Sequence, residues 1–281
     1  MPPILHLVRH AQAQHNVHVN NHYLIDPCLT DLGKGQCSQL KTSFPKTEHI
    51  DLIVASPLKR TIQTALIAFE DVLRDNNLRV LCLPELQETS NLPCDTGSSR
   101  EVLEKEFGDQ PVNLDHVTPN WECKVGRWAP DVEAVQTRAR QVRVWLRDRP
   151  ERNIVVVTHG GFLHFFTENW SEHDLFSGTG WANTEWRSVR FTSEEKGPPT
   201  STDNAEDARQ DLAHVEELPE SQERRRHEAQ IREAAEREHK KTTDAHVDAE
   251  GCDTAERVND DISRSHGSTS APSQIEVGAT A

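Results

Sequence analysis

Ile4–His10, ILHLVRH, constrains this chain more than any other stretch: four of its first five residues are apolar, and the run stops on an Arg-His pair. A short apolar run of this kind reads as a buried parallel strand that delivers two phosphate-seeking side chains at its C-terminal end. Open α/β sheets bind ligands in the crevice beyond the carboxyl ends of their strands, so other apolar runs should also end in chemistry. Three do. Asp51–Ser56 (DLIVAS) is followed by PLKR, which puts Arg60 in the first turn of a helix. Leu78–Pro84 (LRVLCLP) is followed by ELQE, with carboxylates at Glu85 and Glu88. Asn153–Gly161 (NIVVVTHGG) ends in His159, Gly160 and Gly161. Two histidines, two arginines and a carboxylate therefore meet at one edge of the predicted sheet.

Helical spacing fills the intervals. Thr30 is an N-cap for a helix starting near Asp31, and Ser56-Pro57 supplies a hydroxyl cap and an N1 proline. The helix that follows turns Ile62, Ala65, Leu66, Phe69 and Leu73 toward the sheet. Ser98 and Glu101 form a capping box. Val132, Val135, Ala139, Val142 and Leu146 share one face of Asp131–Arg147, and Glu185–Phe191 alternates like an edge strand. Gly108–Pro130 has no period; with Trp121, Lys124, Arg127 and Trp128 it reads as an inserted loop or lid. Strand and helix in alternation predict an α/β fold, a doubly wound three-layer sandwich with a mostly parallel central sheet and helices on both faces.

Composition sets the extent of that fold. Every Phe, Trp and Tyr lies at or before Phe191, and the remainder offers too little apolar surface to offset the entropy of ordering it. The expectation is a globular domain over residues 1–195 and a disordered or transiently helical charged tail over 196–281, a surface for protein contacts at most. A net charge of -15 excludes a general nucleic-acid binder, which needs a basic face, while leaving room for a local anion site. No signal-like or membrane-spanning run is present, and six cysteines without CxxC spacing fit a reducing compartment, the cytoplasm or nucleus.

The converging residues suit phosphoryl transfer. Charge in that reaction spreads over three equatorial oxygens, and catalysis is mostly positioning and charge stabilisation. Arg9 and Arg60 offer paired donors for phosphate oxygens. With no serine or cysteine elbow motif, His10 is the candidate nucleophile. His159 is a donor to phosphate, the glycines after it let the backbone approach, and a carboxylate after the third strand can protonate the leaving oxygen. Spacing alone leaves both Glu85 and Glu88 open.

RHAQAQHN, LTDLGKGQ, SPLKRTIQTA, LQET and VVTHGG resemble, in order and spacing, the histidine phosphatase superfamily in its phosphoglycerate-mutase-like branch; the resemblance covers Ile4–Phe191. LQETSNLPCDTGS looks like a fungal or plant-type subgroup. The resemblance implies a phosphohistidine at His10, a phosphate pocket of Arg9, Asn16, Arg60, His159 and Gly160, Glu88 as proton donor, no metal or other cofactor, and a small phosphorylated substrate. Two departures stand out. Ala11 and Gln12 replace the family's usual glycine and glutamate, and the second arginine cluster of mutases has no counterpart, which together favour a phosphatase over a mutase. Two rivals remain at this stage: a zinc site at His10, His15 and His159, which the nearby guanidinium groups oppose, and a phosphatase-like fold used as a non-catalytic interaction module.

Overall fold

Alternate residues of a sheet covered on both faces must pack to opposite sides, and the central strands here do so. The computed structural model describes residues 1–45, 49–168, 180–192 and 213–251. In chain order the elements are β1 (Ile4–Arg9), α1 (Asp31–Ser43), β2 (Leu52–Ala55), α2 (Lys59–Ala68), α3 (Glu70–Asp75), β3 (Val80–Cys82) and α4 (Arg100–Phe107). Then come β4 (Val112–Asn113), α5 (Val132–Arg147), β5 (Asn153–Thr158), α6 (Gly160–Thr167), β6 (Trp186–Phe191), β7 (Val215–Glu217) and α7 (Pro219–Gly251). The strands form one sheet in the order β4-β3-β2-β5-β1-β6-β7. Its first five members are parallel, while β6 runs antiparallel to β1 and β7 antiparallel to β6.

Val8, Ile53, Ala55, Val155 and Val157 pack with Cys37 and Leu40 of α1 and Ile62 and Ala65 of α2. Their neighbours Leu5, Leu7, Val54, Ile154 and Val156 pack with Val135, Ala139 and Val142 of α5 and Phe162 and Phe166 of α6. This is the expected three-layer sandwich. Trp121 is fully buried and pins the irregular Gly108–Pro130 segment to the core; a side chain at Gly97 would strike its indole at 2.2 Å.

Local signals held where the cap stayed local. Thr30 Oγ1 accepts from the Gly33 N–H at 3.0 Å, and Asp131 accepts from Ala134 at 2.9 Å. Long-range partners changed two others. The helix after β2 starts at Lys59, not at Ser56, because Asp26 reaches across to accept the Lys59 N–H (2.9 Å) and the Ser56 hydroxyl faces His159. The same Asp26 takes the Ser98 N–H (3.0 Å), so α4 begins after Ser99 without the capping box. The predicted single helix also breaks at Phe69 into α2 and α3.

The sequence places a domain boundary at residue 195. The chain returns to the sheet: β7 pairs with β6, the Ser221 hydroxyl accepts from the Ser188 N–H at 3.1 Å, and the Arg224 guanidinium lies 3.7 Å from the Trp186 ring centre. The first compact unit therefore runs from Met1 to Arg224 and a second from Arg225 onward. A three-residue strand rich in glutamate leaves no apolar signal; the unpaired edge of β6 and the open face of Trp186 are what give it a place. Residues 225–251 are helical. The rest of the expected tail, 196–212 and 252–281, lies outside the described residues. Among the described residues no helix is long and apolar enough to cross a membrane.

Candidate active site

The strand order places the carboxyl ends of β1, β5, β2 and β3 side by side, and all the singled-out residues leave from those ends. His10 follows β1 directly. Its Nδ1 lies 2.7 Å from the Ala11 carbonyl oxygen, an acceptor only, so Nδ1 carries the proton and Nε2 keeps its lone pair. Arg60 Nε donates to that Nε2 at 3.3 Å. The Ala11 N–H donates to Thr64 Oγ1 (3.1 Å) and Asn183 donates to the His10 carbonyl (2.9 Å), so the backbone on both sides of the imidazole is fixed.

Arg60, on α2, is fully buried. Its Nη1 donates to the Cys94 carbonyl (2.7 Å) and its Nη2 to Asp95 Oδ1 (3.0 Å). Asp95 is in turn held by the Ser90 hydroxyl at 2.5 Å. Nothing in the sequence marks this clamp, because a buried aspartate opposite an arginine 35 residues away has no local signature. Arg9 donates to the Trp181 carbonyl, and its buried Nε has no partner among the described residues. His159, after β5, sets its Nε2 2.9 Å from Ser56 Oγ, while its buried Nδ1 has no partner among the described residues. The ring centres of His10 and His159 are 5.2 Å apart.

Glu88 and Glu85 separate clearly. Glu88 rests on the N-terminus of α6, where Oε1 accepts from the Phe162 N–H (2.9 Å) and Oε2 from Gly161 (3.2 Å). Glu85 pairs instead with Arg127 at the surface. Gly161 is the glycine that close approach requires: a Cβ there would sit 2.6 Å from Glu88 Oε1. Gly160 opens α6 and is buried. Arg138, buried on α5, donates to the carbonyls of Glu85 (2.8 Å) and Gln87 (2.9 Å) and fixes the loop that carries Glu88. Asn16 accepts from the Ala13 N–H (3.0 Å) and turns its amide toward His15, which leaves one amide hydrogen free for a ligand. Among the described residues no group of three or more His, Cys, Asp or Glu is gathered to hold a metal ion.

The electrostatics follow from burial among cations. Desolvation first, then Arg60, holds both His10 and His159 well below the usual histidine range, so both are neutral at physiological pH. Burial raises the Glu88 carboxyl, aided by Asp95 and opposed by the N–H groups of Thr89 and Gly161. Lys124, from the insert, donates to Gln87 Oε1 (2.7 Å), and burial lowers it to about 8.

Buried neutral histidines predict acid lability. His6, packed in the sheet beside Ser188, is pulled by burial to about 4, and His15 to about 3. Folded-state values below the unfolded one mean that the unfolded chain binds more protons. Stability is therefore full above pH ~6.5 and is lost as pH falls toward the folded values. His6 alone accounts for about 3 kcal/mol between pH 6.5 and 4, at ~1.4 kcal/mol per unit. Urea unfolding followed over that range should show the loss, and His6→Asn should flatten it; an unchanged slope in that variant would refute the assignment.

Comparison with known proteins places these residues in context. The profile of the histidine phosphatase superfamily (branch 1) matches residues 5–203. A Schizosaccharomyces pombe protein named a probable phosphatase is 31% identical over 58% of this chain and 76% of its own. Phosphoglycerate mutase-like protein 1 of Arabidopsis thaliana is 31% identical over 59% of this chain and 70% of its own. Phosphoserine phosphatase 1 of Hydrogenobacter thermophilus is 36% identical over 35% of this chain and 44% of its own.

Proposed function

Because this chain belongs to the histidine phosphatase superfamily, branch 1, we propose that it hydrolyses a phosphomonoester through a phosphohistidine at His10. The observation that carries this reading is the fixed tautomer of His10: Nδ1–H is spent on the Ala11 carbonyl, and the unprotonated Nε2 accepts from the Arg60 guanidinium. In the first step Nε2 attacks phosphorus, the ester P–O bond breaks, and Glu88 gives its proton to the leaving oxygen. In the second, the Glu88 carboxylate takes a proton from water, the oxygen attacks the phosphohistidine, and the N–P bond breaks to release inorganic phosphate. Arg9, Arg60, His159 and Asn16 bind the equatorial oxygens, and the two guanidinium groups supply the positive charge that a dication supplies elsewhere.

Hydrolysis is favoured over mutase chemistry by the fate of the insert's cations. A mutase must hold a phosphoglycerate carboxylate as well as its phosphate. Of the two basic residues in Gly108–Pro130, Arg127 is paired with Glu85 and Lys124 is engaged by Gln87 and Glu88. With phosphoserine, 3-phosphoglycerate and nitrophenyl phosphate supplied in turn, each in EDTA, we expect inorganic phosphate to appear from at least one. Conversion of 3-phosphoglycerate to its 2-isomer without net phosphate release would establish a mutase. Loss of activity in EDTA with recovery on added metal would overturn the metal-independent mechanism.

A further inference from the structure

His15 is a site residue that the two-step reaction leaves without a task. It is 8% exposed, its ring centre is 5.6 Å from that of His10, and His22 lies 6.3 Å away on its other side. Its tautomer can be read from Asn16. The Asn16 oxygen is committed to the Ala13 N–H, so the end that faces His15 Nε2 at 3.1 Å is the amide NH₂, which donates. Nε2 is thus the acceptor and Nδ1 carries the proton. That Nδ1–H is buried and has no acceptor among the described residues.

A buried donor without a partner is costly and rare, and it calls for an explanation, such as a ligand that completes it. Two more buried nitrogens without a partner among the described residues, Arg9 Nε and His159 Nδ1, belong to neighbouring site residues. Burial and the nearby Arg60 and Arg9 charges keep His15 neutral down to about pH 3, so it serves as a donor and not as a base. A protonated Nδ1 and an engaged Nε2 leave no lone pair for a metal. An N–H beside the nucleophile, in the field of two guanidinium groups, is suited to an anionic oxygen.

We propose that His15 is a phosphoryl-binding residue whose Nδ1–H donates to a non-bridging oxygen of the group transferred to His10. The proposal rests on the phosphohistidine reading of His10. It also gives Asn16 a second task, that of selecting the His15 tautomer.

Substitutions that mimic one ring nitrogen at a time test it. His15→Gln keeps an acceptor toward Asn16 but loses the donor; His15→Asn keeps a donor near the Nδ1 position. Inorganic phosphate, titrated calorimetrically, should bind His15→Gln at least about tenfold more weakly than the unaltered chain, the worth of one hydrogen bond to a charged group. His15→Asn should recover most of that affinity. Equal binding by His15→Gln and the unaltered chain, or equal weakness of the two variants, would overturn the proposal. A second arm needs no variant to be active. In the full chain labelled with ¹⁵N-histidine, the His15 Nδ1–H resonance, identified by its loss in His15→Gln, should move downfield on adding inorganic phosphate. A resonance that stays put while a phosphoenzyme forms refutes the role of His15. If phosphate moves the resonance but no phosphoenzyme can be trapped, the binding role stands and the reading of His10 falls.

Discussion

His10→Ala is expected to abolish the phosphoenzyme and to lower turnover by at least ~10⁴-fold, the scale seen when a covalent nucleophile is removed. The size follows from what remains. Arg9, Arg60 and His159 would still bind the phosphoryl group, and Glu88 could still protonate the leaving oxygen, but nothing would divide the displacement into two easier steps. The measurement is rapid quenching with radiolabelled substrate under alkaline conditions, followed by a stability test of the label. Phosphohistidine is acid-labile and base-stable, whereas phosphoserine has the opposite behaviour. That distinction matters here because Ser56 Oγ lies 2.9 Å from His159 Nε2 and forms a second nucleophile-base pair in the same pocket. An acid-stable label that persists in His10→Ala would move the chemistry to Ser56.

Glu88→Gln should cost ~10²–10⁴-fold in phosphorylation of His10 by an alkyl phosphate and far less with nitrophenyl phosphate. A basic alkoxide cannot leave unprotonated, whereas nitrophenolate can, so only a true proton donor shows this dependence. Glu88 must be protonated to act. Burial raises its carboxyl, and phosphorylation should therefore decline as pH rises through that raised value, a limb that Glu88→Gln removes. Glu85→Gln should leave both substrates nearly unaffected, since its carboxylate is engaged by Arg127 at the surface. Pre-steady-state phosphoenzyme formation is the proper readout, because the same carboxylate serves as base in the second step. A leaving-group dependence in Glu85→Gln and none in Glu88→Gln would reverse the assignment.

Much of this architecture is legible in the sequence because its signals are local. The apolar runs Ile4–Arg9 and Asn153–Thr158 survive as central strands of one sheet, and Thr30 and Asp131 cap the helices that follow them. Parallel strands put their C-terminal ends on one edge, so Arg9, His10, Arg60 and His159 were expected along one edge once the strands were recognised. The failures share a cause. Ser56 and Ser98 have good cap chemistry, but His159, Asp26 and Trp121 offered partners 103, 72 and 23 residues away in the chain. The return of β7 was equally hidden, since its reason lies in the open edge of β6.

By itself, then, the sequence determined which chemical groups gather at the site, because apolar periodicity decides where each strand ends and what it delivers. Only the tertiary structure decided how those groups are protonated and which of two carboxylates reaches the site. The imidazole tautomers of His10 and His15 depend on single carbonyl and amide contacts. The choice of Glu88 depends on the N-terminus of α6, 73 residues further on, with Arg138 holding the loop in place. Hydrogen bonds are directional and short-ranged, so a shift of about an ångström would reassign them, and no pattern along the chain encodes that distance.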